Sequence, residues 1–90
     1  MVELTLIIAD SFQTAHKWAI DNLYTFVVGR SWFEGPRGQR MSYVHNRESM
    51  MGFDNGTKVV IHDTWNRRPD RNELAMHMFQ KGMDVWHVGK

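Results

Sequence analysis

Two stretches of the chain share one order of apolar, polar and aromatic positions. Residues 6–12 read Leu-Ile-Ile-Ala-Asp-Ser-Phe, and residues 59–65 read Val-Val-Ile-His-Asp-Thr-Trp. Near-continuous apolar runs of this length are typical of strands that are covered on both faces. We therefore predict two buried strands, over residues 3–9 and 58–63, side by side at the centre of a sheet.

Two segments carry apolar residues at helical spacing. The first begins at Asp10 or Ser11 and runs to about residue 22, and the second covers about residues 70–81. Asp70 followed three residues later by Glu73 predicts a capping box, although Asp replaces the usual hydroxyl residue. Gly82 predicts the end of the second helix, because glycine readily adopts the left-handed conformation found there.

Further strands are predicted over residues 24–28, 41–45 and 83–88, which gives strand-helix-strand order twice. Two such units favour a single α/β domain over residues 1–90, with an irregular, glycine-punctuated segment at 29–56. The predicted fold is a small doubly wound, Rossmann-like, mostly parallel sheet of four or five strands with one helix on each face. An α+β sheet with mixed strand directions is the alternative.

Composition limits the class of protein. Apolar residues make up 42% of the chain and there are four Trp, so a folded core is expected. The absence of Cys excludes disulfides and thiolate metal sites and favours a reducing cytoplasm. The N-terminal residues do not resemble a signal peptide, and no apolar stretch approaches the ~20 residues that span a bilayer, so no membrane association is expected.

Polar side chains follow the predicted central strands. Ligands of open α/β sheets bind beyond the carboxyl ends of the strands, where helix N-termini also favour anions. The expected ligand-binding residues are Asp10, Ser11, Arg30, Asp63, Thr64, Arg67 and Arg68. In this hypothesis the arginines hold the phosphate of a nucleotide or a nucleic-acid backbone, since a guanidinium grips phosphate in two places. In the alternative, the two Asp residues only end strands and cap turns.

The middle segment mixes cations with aromatic residues. Between residues 29 and 47 there are four Arg and one acid, Glu34, which gives a local balance of +3. Such segments bind single-stranded nucleic acid when bases stack on the aromatic rings. The same residue types dominate protein contacts, and this alternative predicts a host protein or a second copy as partner. The expected interface residues are Trp32, Phe33, Tyr43 and Trp65.

Self-association is expected because exposed edge strands and a high content of Met and Trp favour it.

A binding role is favoured over catalysis. The five His form no metal-binding motif, and although His62 adjoins Asp63, no positioned nucleophile accompanies the pair. No phosphate-loop or dinucleotide-binding glycine motif is present, and neither a cofactor nor a bound metal is expected. The enzymatic alternative is a Mg²⁺-dependent phosphoryl-transfer or hydrolytic site that uses Asp10 and Asp63.

Parts of the chain resemble small α/β proteins of unknown function encoded by bacteriophages, especially those of actinobacteria. The matching residues are Ile7-Ile8-Ala9-Asp10-Ser11, Ala15, Trp18-Ala19, Asp63-Thr64-Trp65 and Arg67-Arg68-Pro69-Asp70. The resemblance implies a phage accessory protein that acts in the cytoplasm of a bacterial host. It implies no particular activity.

Overall fold

Six strands form one sheet within the described residues, 4–53 and 56–88 of the computed structural model. The strands are β1 (Leu4–Ile8), β2 (Thr25–Val27), β3 (Trp32–Glu34), β4 (Arg40–Tyr43), β5 (Lys58–His62) and β6 (Asp84–Val88). The helices are α1 (Phe12–Asp21) and α2 (Arg71–Lys81), and two 3₁₀ turns cover Arg47–Met50 and Asp63–Arg67. The predicted strand over residues 3–9 corresponds to β1, and residue 3 lies outside the described residues.

The centre of the sheet is parallel. The strand order is β2-β3-β4-β1-β5-β6, and β1 pairs in parallel with both β4 and β5, while β5 pairs in parallel with β6. The apolar residues of β1 and β5 are almost all buried, as expected for strands between two layers. The predicted central pair and the unit β5-α2-β6 are both confirmed.

The other end of the sheet is antiparallel, so the small α/β fold with two helices is observed but its sheet is mixed. The predicted first strand-helix-strand unit is wrong in its pairing, because β2 lies at the edge and β4 takes the place beside β1. The strand β3 was not predicted, and it pairs antiparallel with β2 and β4. Burial explains this order: Met41 in β4 is fully buried, whereas no residue of β2 is.

The two helices pack on opposite faces of the sheet. Since side chains alternate along a strand, Ile7 and Val60 face α1, whereas Leu6 and Val59 face α2. Under α2 the core contains Leu6, Ile8, Val44, Met50, Val59, Ile61, Leu74, Met78 and Met83. On the α1 side it contains Ile7, Ala9, Ala15, Ala19, Phe33, Met41 and Val60.

The helix ends follow the sequence only in part. The Ser11 hydroxyl caps α1 by accepting a hydrogen bond from the backbone N–H of Thr14, and Gly82 ends α2 with φ 63°. Asp70 precedes α2 but makes no capping hydrogen bond with its side chain, so the predicted capping box is wrong. Its carboxylate binds Arg68 instead.

Candidate functional site

The carboxyl ends of β1 and β5 meet at what we call the carboxyl rim, formed by Asp10, His62, Asp63, Thr64 and Arg68. The backbone N–H of Asp10 donates a hydrogen bond to Oγ1 of Thr64 over 3.2 Å. This bond links positions 54 residues apart in the chain and brings the two predicted polar corners together. The predicted convergence at one edge therefore exists for these residues.

His62 and its neighbours at the rim do not form a proton relay. Nδ1 of His62 lies 2.8 Å from Oγ1 of Thr64 and 3.2 Å from Oδ1 of Asp63. A relay requires the base and the orienting carboxylate to use different ring nitrogens, whereas both contacts here involve the same one. The same nitrogen accepts the backbone N–H of Thr64, so His62 caps the following 3₁₀ turn.

Arg68 is buried at the centre of the rim, with 8% of its surface exposed. Its Nε and Nη2 donate to the two carboxylate oxygens of Asp70 over 2.9 and 3.1 Å. Nη1 donates to the carbonyl of Val44 over 2.7 Å, and Nη2 donates to that of His45, also over 2.7 Å. The guanidinium thus satisfies strand-end carbonyls and one carboxylate, and it is not presented to a phosphate as the sequence predicted.

Tyr43 belongs to the same buried arrangement. Its hydroxyl donates to the carbonyl of Ala9 over 3.4 Å and accepts from Nη1 of Arg68 over 3.4 Å. Burial raises the pKa of Tyr43, while the nearby Arg68 opposes that shift. The phenol therefore stays neutral at physiological pH.

Asp10 gives the rim a negative charge. The Thr14 hydroxyl is the largest influence that lowers the pKa of Asp10, with Thr64, Arg67 and the backbone of Ser11 acting in the same direction against desolvation. Nη1 of Arg67 lies 3.8 Å from Oδ2 of Asp10, and the Arg67 side chain is 74% exposed. Because the carboxylate is ionised at neutral pH, it opposes the approach of a phosphate to this rim.

A second polar arrangement lies on the antiparallel part of the sheet, and we call it the arginine–tryptophan cluster (Arg30, Trp32 and Arg40). The Arg40 guanidinium lies 4.4 Å from the centre of the Trp32 ring, and that of Arg30 lies 5.9 Å from it. Strand alternation puts Trp32 on the opposite face from buried Phe33 and hence on the α2 side of the sheet. Among the described residues, the buried core under α2 includes none from β2 or β3. Trp32 is partly buried, and its indole Nε1 has no hydrogen-bond partner within the described part of the chain.

The arginines of the chain differ in whether their guanidiniums have internal partners. Arg47 pairs with Glu73 at 3.3 Å, Arg71 donates to the carbonyl of Asn66 over 3.2 Å, and Arg67 and Arg68 are paired at the rim. Within the described part of the chain, no ion pair or guanidinium hydrogen bond involves the remaining three. These are Arg30, Arg37 and Arg40.

The predicted ligand-binding and interface residues do not form one site. Asp10, Ser11, Asp63, Thr64 and Arg67 lie at or beside the rim, whereas Arg30 is separated from β1 by β3 and β4. Phe33 is 1% exposed and packs under α1, so its surface is not free for a partner. Tyr43 is half-buried at the rim, Trp32 belongs to the cluster, and Trp65 lines an apolar groove beside α2.

Arg40 is one of the four arginines of the middle segment, but it was not among the predicted ligand-binding residues. It starts β4 directly after the turn signals Gly35-Pro36 and Gly38, and its contact with Trp32 depends on β3. Since β3 has only three residues and lacks a clear apolar alternation, no sequence pattern predicts the pairing.

Among the described residues, no group of three or more His, Cys, Asp or Glu side chains is placed to hold a metal ion. Within the same residues, neither helix has the length and apolar character that crossing a bilayer requires.

None of the protein-family models, curated proteins or solved structures compared with the chain matches it. The resemblance to bacteriophage proteins, and the host setting that it implies, stay predictions.

Proposed function

We propose that the protein binds single-stranded nucleic acid on the antiparallel part of its sheet, at the arginine–tryptophan cluster. The observation that supports this proposal is the set of guanidiniums without internal partners, which all belong to the segment from Arg30 to Arg40. The predicted phosphate-binding role is thereby kept, but its place moves from the carboxyl rim to this face.

Availability of hydrogen-bond donors is the first argument. A phosphate that approaches Arg68 must displace buried carbonyls and a carboxylate, which is costly. A phosphate that approaches Arg30 or Arg40 displaces only water and a ring contact. Charge-assisted bonds to phosphate then form without the loss of an internal ion pair.

The local charge is the second argument. Residues 29–40 contain three Arg and one acid, a balance of +2, and one of these arginines, Arg37, lies in the turn between β3 and β4. The rim instead presents the ionised carboxylate of Asp10. A polyanion is therefore attracted to the antiparallel face and repelled by the rim.

The Trp32 ring is the third argument, and it favours nucleic acid over other polyanions. Open sheet faces bind single strands by stacking bases on exposed aromatic rings. Arg40 and Arg30 contact this ring as stacked cations, and Arg30 is exposed and more distant. When Arg30 turns to a phosphate, ring surface is released on which a base stacks.

The test is fluorescence anisotropy with a labelled oligonucleotide of about 12 nucleotides, within the site sizes of single-strand binders. Replacing Arg30 and Arg40 together by Gln should weaken binding about tenfold or more and flatten its salt dependence. The matched control replaces Arg67 and Arg71 by Gln, which removes the same charge near the rim and should leave affinity within about twofold. Equal losses in the two double variants would contradict the proposed location.

Inorganic polyphosphate separates base stacking from plain charge. Trp32→Leu should weaken oligonucleotide binding by about 1–3 kcal/mol, because one stacking surface is removed. Its affinity for polyphosphate should not fall, because the guanidiniums remain. Equal losses for both ligands would show that Trp32 only supports the arginines, and absence of oligonucleotide binding by the wild type at low salt would refute the proposal.

A further inference from the structure

The β6 edge and the neighbouring surface of α2 form a continuous apolar region at the end of the sheet opposite the arginine–tryptophan cluster. A groove of about 470 Å³ lies there, and its lining includes Ile61, Trp65, Met78, Phe79 and Val85. Phe79 at its border is 88% exposed. Trp86 on β6 is 52% exposed, and strand alternation puts it on the other face of the same edge, because its neighbour Val85 lines the groove. Large exposed apolar side chains that share one edge mark an interaction surface.

The strand at this end offers backbone hydrogen bonds as well. Among the described residues β6 pairs only with β5, so the N–H and C=O groups that point to its outer edge have no strand partner. Edges of this kind accept another strand unless charge or proline blocks them. Asp84 is the only acid of β6, and its carboxylate already accepts the Trp86 indole N–H over 2.9 Å.

We infer that a second copy of this chain docks here, with the two β6 strands paired antiparallel about a two-fold axis at Trp86. Such an axis runs perpendicular to the sheet, so both α2 helices lie on the same side of the joined sheet. Phe79 of each copy then faces the groove of the other. The groove and the side chain that fills it belong to the same surface, which is the requirement for a self-complementary interface.

The area is consistent with a stable dimer. A standard interface buries about 800 Å² per partner, a modest part of the 5969 Å² accessible surface of the described chain. The exposed parts of Phe79 and Trp86 supply roughly 300 Å² of this, since aromatic side chains bury about 150–250 Å² each. The paired edge, the groove lining and the exposed Met76 contribute further area.

Sedimentation velocity over a range of protein concentrations tests the association. We expect a dimer for the wild type and at least about tenfold weaker association for Phe79→Glu, which places a charge in the apolar groove. The control is Ile20→Glu, an exposed apolar position on α1 that lies away from β6 and should leave the dimer intact. A monomeric wild type at high concentration, or an unchanged dimer in Phe79→Glu, would overturn the inference.

The pairing itself has a separate test, because the chain contains no cysteine. Two-fold pairing centred on position 86 brings its two Cα atoms to about 4.5–5.5 Å, within the range that a disulfide spans. Under mild oxidation Trp86→Cys should therefore form a covalent dimer, whereas Val28→Cys, a more exposed position that follows β2 at the far edge of the sheet, should not. Equal cross-linking of both variants, or capture by β6 of a foreign peptide strand without self-association, would show that the partner is not a second copy. Both outcomes are independent of nucleic-acid binding.

Discussion

Arginine has opposite roles at the carboxyl rim and in the arginine–tryptophan cluster. At the rim, Arg68 is buried and every nitrogen of its guanidinium donates to an internal acceptor. In the cluster, the guanidiniums of Arg30 and Arg40 lie against an aromatic ring, and among the described residues they take part in no ion pair. The comparison shows that an arginine alone does not identify an anion-binding site. Internal acceptors determine how many of its guanidinium donors are left for a ligand.

Topology explains the difference. Parallel strands end at one edge, so the carbonyls of Ala9, Val44 and His45 collect there and require a donor. Arg68 provides several donors from one side chain, and Asp70 balances its charge. The antiparallel strands alternate in direction and collect no such group of carbonyls beside Arg30 and Arg40.

The largest expected effect is the loss of Arg68. Arg68→Met keeps much of the side-chain length but leaves Asp70 and the carbonyls of Val44 and His45 without their donor. We expect the free energy of unfolding to fall by about 3–5 kcal/mol, as when one partner of a buried pair is removed. Urea unfolding measures this. Arg67→Met, at an exposed arginine in the same turn, should cost less than about 1 kcal/mol. Similar losses in both variants would remove the distinction between the two rim arginines.

Thr64→Val tests the contact between the two central strand ends. The variant keeps the side-chain shape but removes the oxygen that accepts the Asp10 N–H and bonds His62. Leaving these partly buried groups unpaired should destabilise the protein by about 1–3 kcal/mol, measured by thermal or urea unfolding. Thr25→Val, an exposed position on β2, is the control and should be neutral. An unchanged stability in Thr64→Val would mean that water replaces the hydroxyl.

Single arginine variants compare the contributions of the cluster and of the rim to nucleic-acid binding. The logarithm of affinity for a single strand falls with the logarithm of salt concentration, by about 0.7 for each phosphate neutralised. Arg40→Ala should therefore reduce this slope by about 0.7 in an anisotropy titration. Arg67→Ala should leave the slope unchanged, because Asp10 lies beside it. A reduced slope for Arg67→Ala and an unchanged slope for Arg40→Ala would place the phosphate-binding site at the rim instead.

The sequence predicts the parallel centre of the fold better than its antiparallel end. The buried runs of β1 and β5 are long enough to predict their burial and their adjacency, and Gly82 predicts the end of α2. The strand β3 is too short for a periodic pattern, and the place of β4 beside β1 follows from long-range burial of Met41. The burial of Arg68 could not be predicted from the sequence either, since its carbonyl acceptors come from residues 23 to 59 positions away.

The smallest expected effect concerns the pH dependence of stability at Asp10. Its pKa is lowered from the ordinary value of 3.8, so the folded state favours the charged carboxylate. This contribution is fully present above pH 3.8 and is lost as the pH falls through the lower pKa of the folded state. The stability difference between wild type and Asp10→Asn should therefore be constant near neutral pH and shrink below about pH 4.

The causes of that pKa shift can be ranked by the same measurement. Thr14→Val should bring the pKa of Asp10 closer to 3.8 than Arg67→Ala does, because the Thr14 hydroxyl is the larger influence. An NMR titration of the Asp10 carboxyl group gives the pKa directly, and urea unfolding at several pH values should show differences below about 1 kcal/mol for this partly exposed group. A measured pKa at or above 3.8 in the wild type would mean that desolvation dominates. The rim would then carry a weaker negative charge, and the electrostatic contrast with the arginine–tryptophan cluster would rest on the arginines alone.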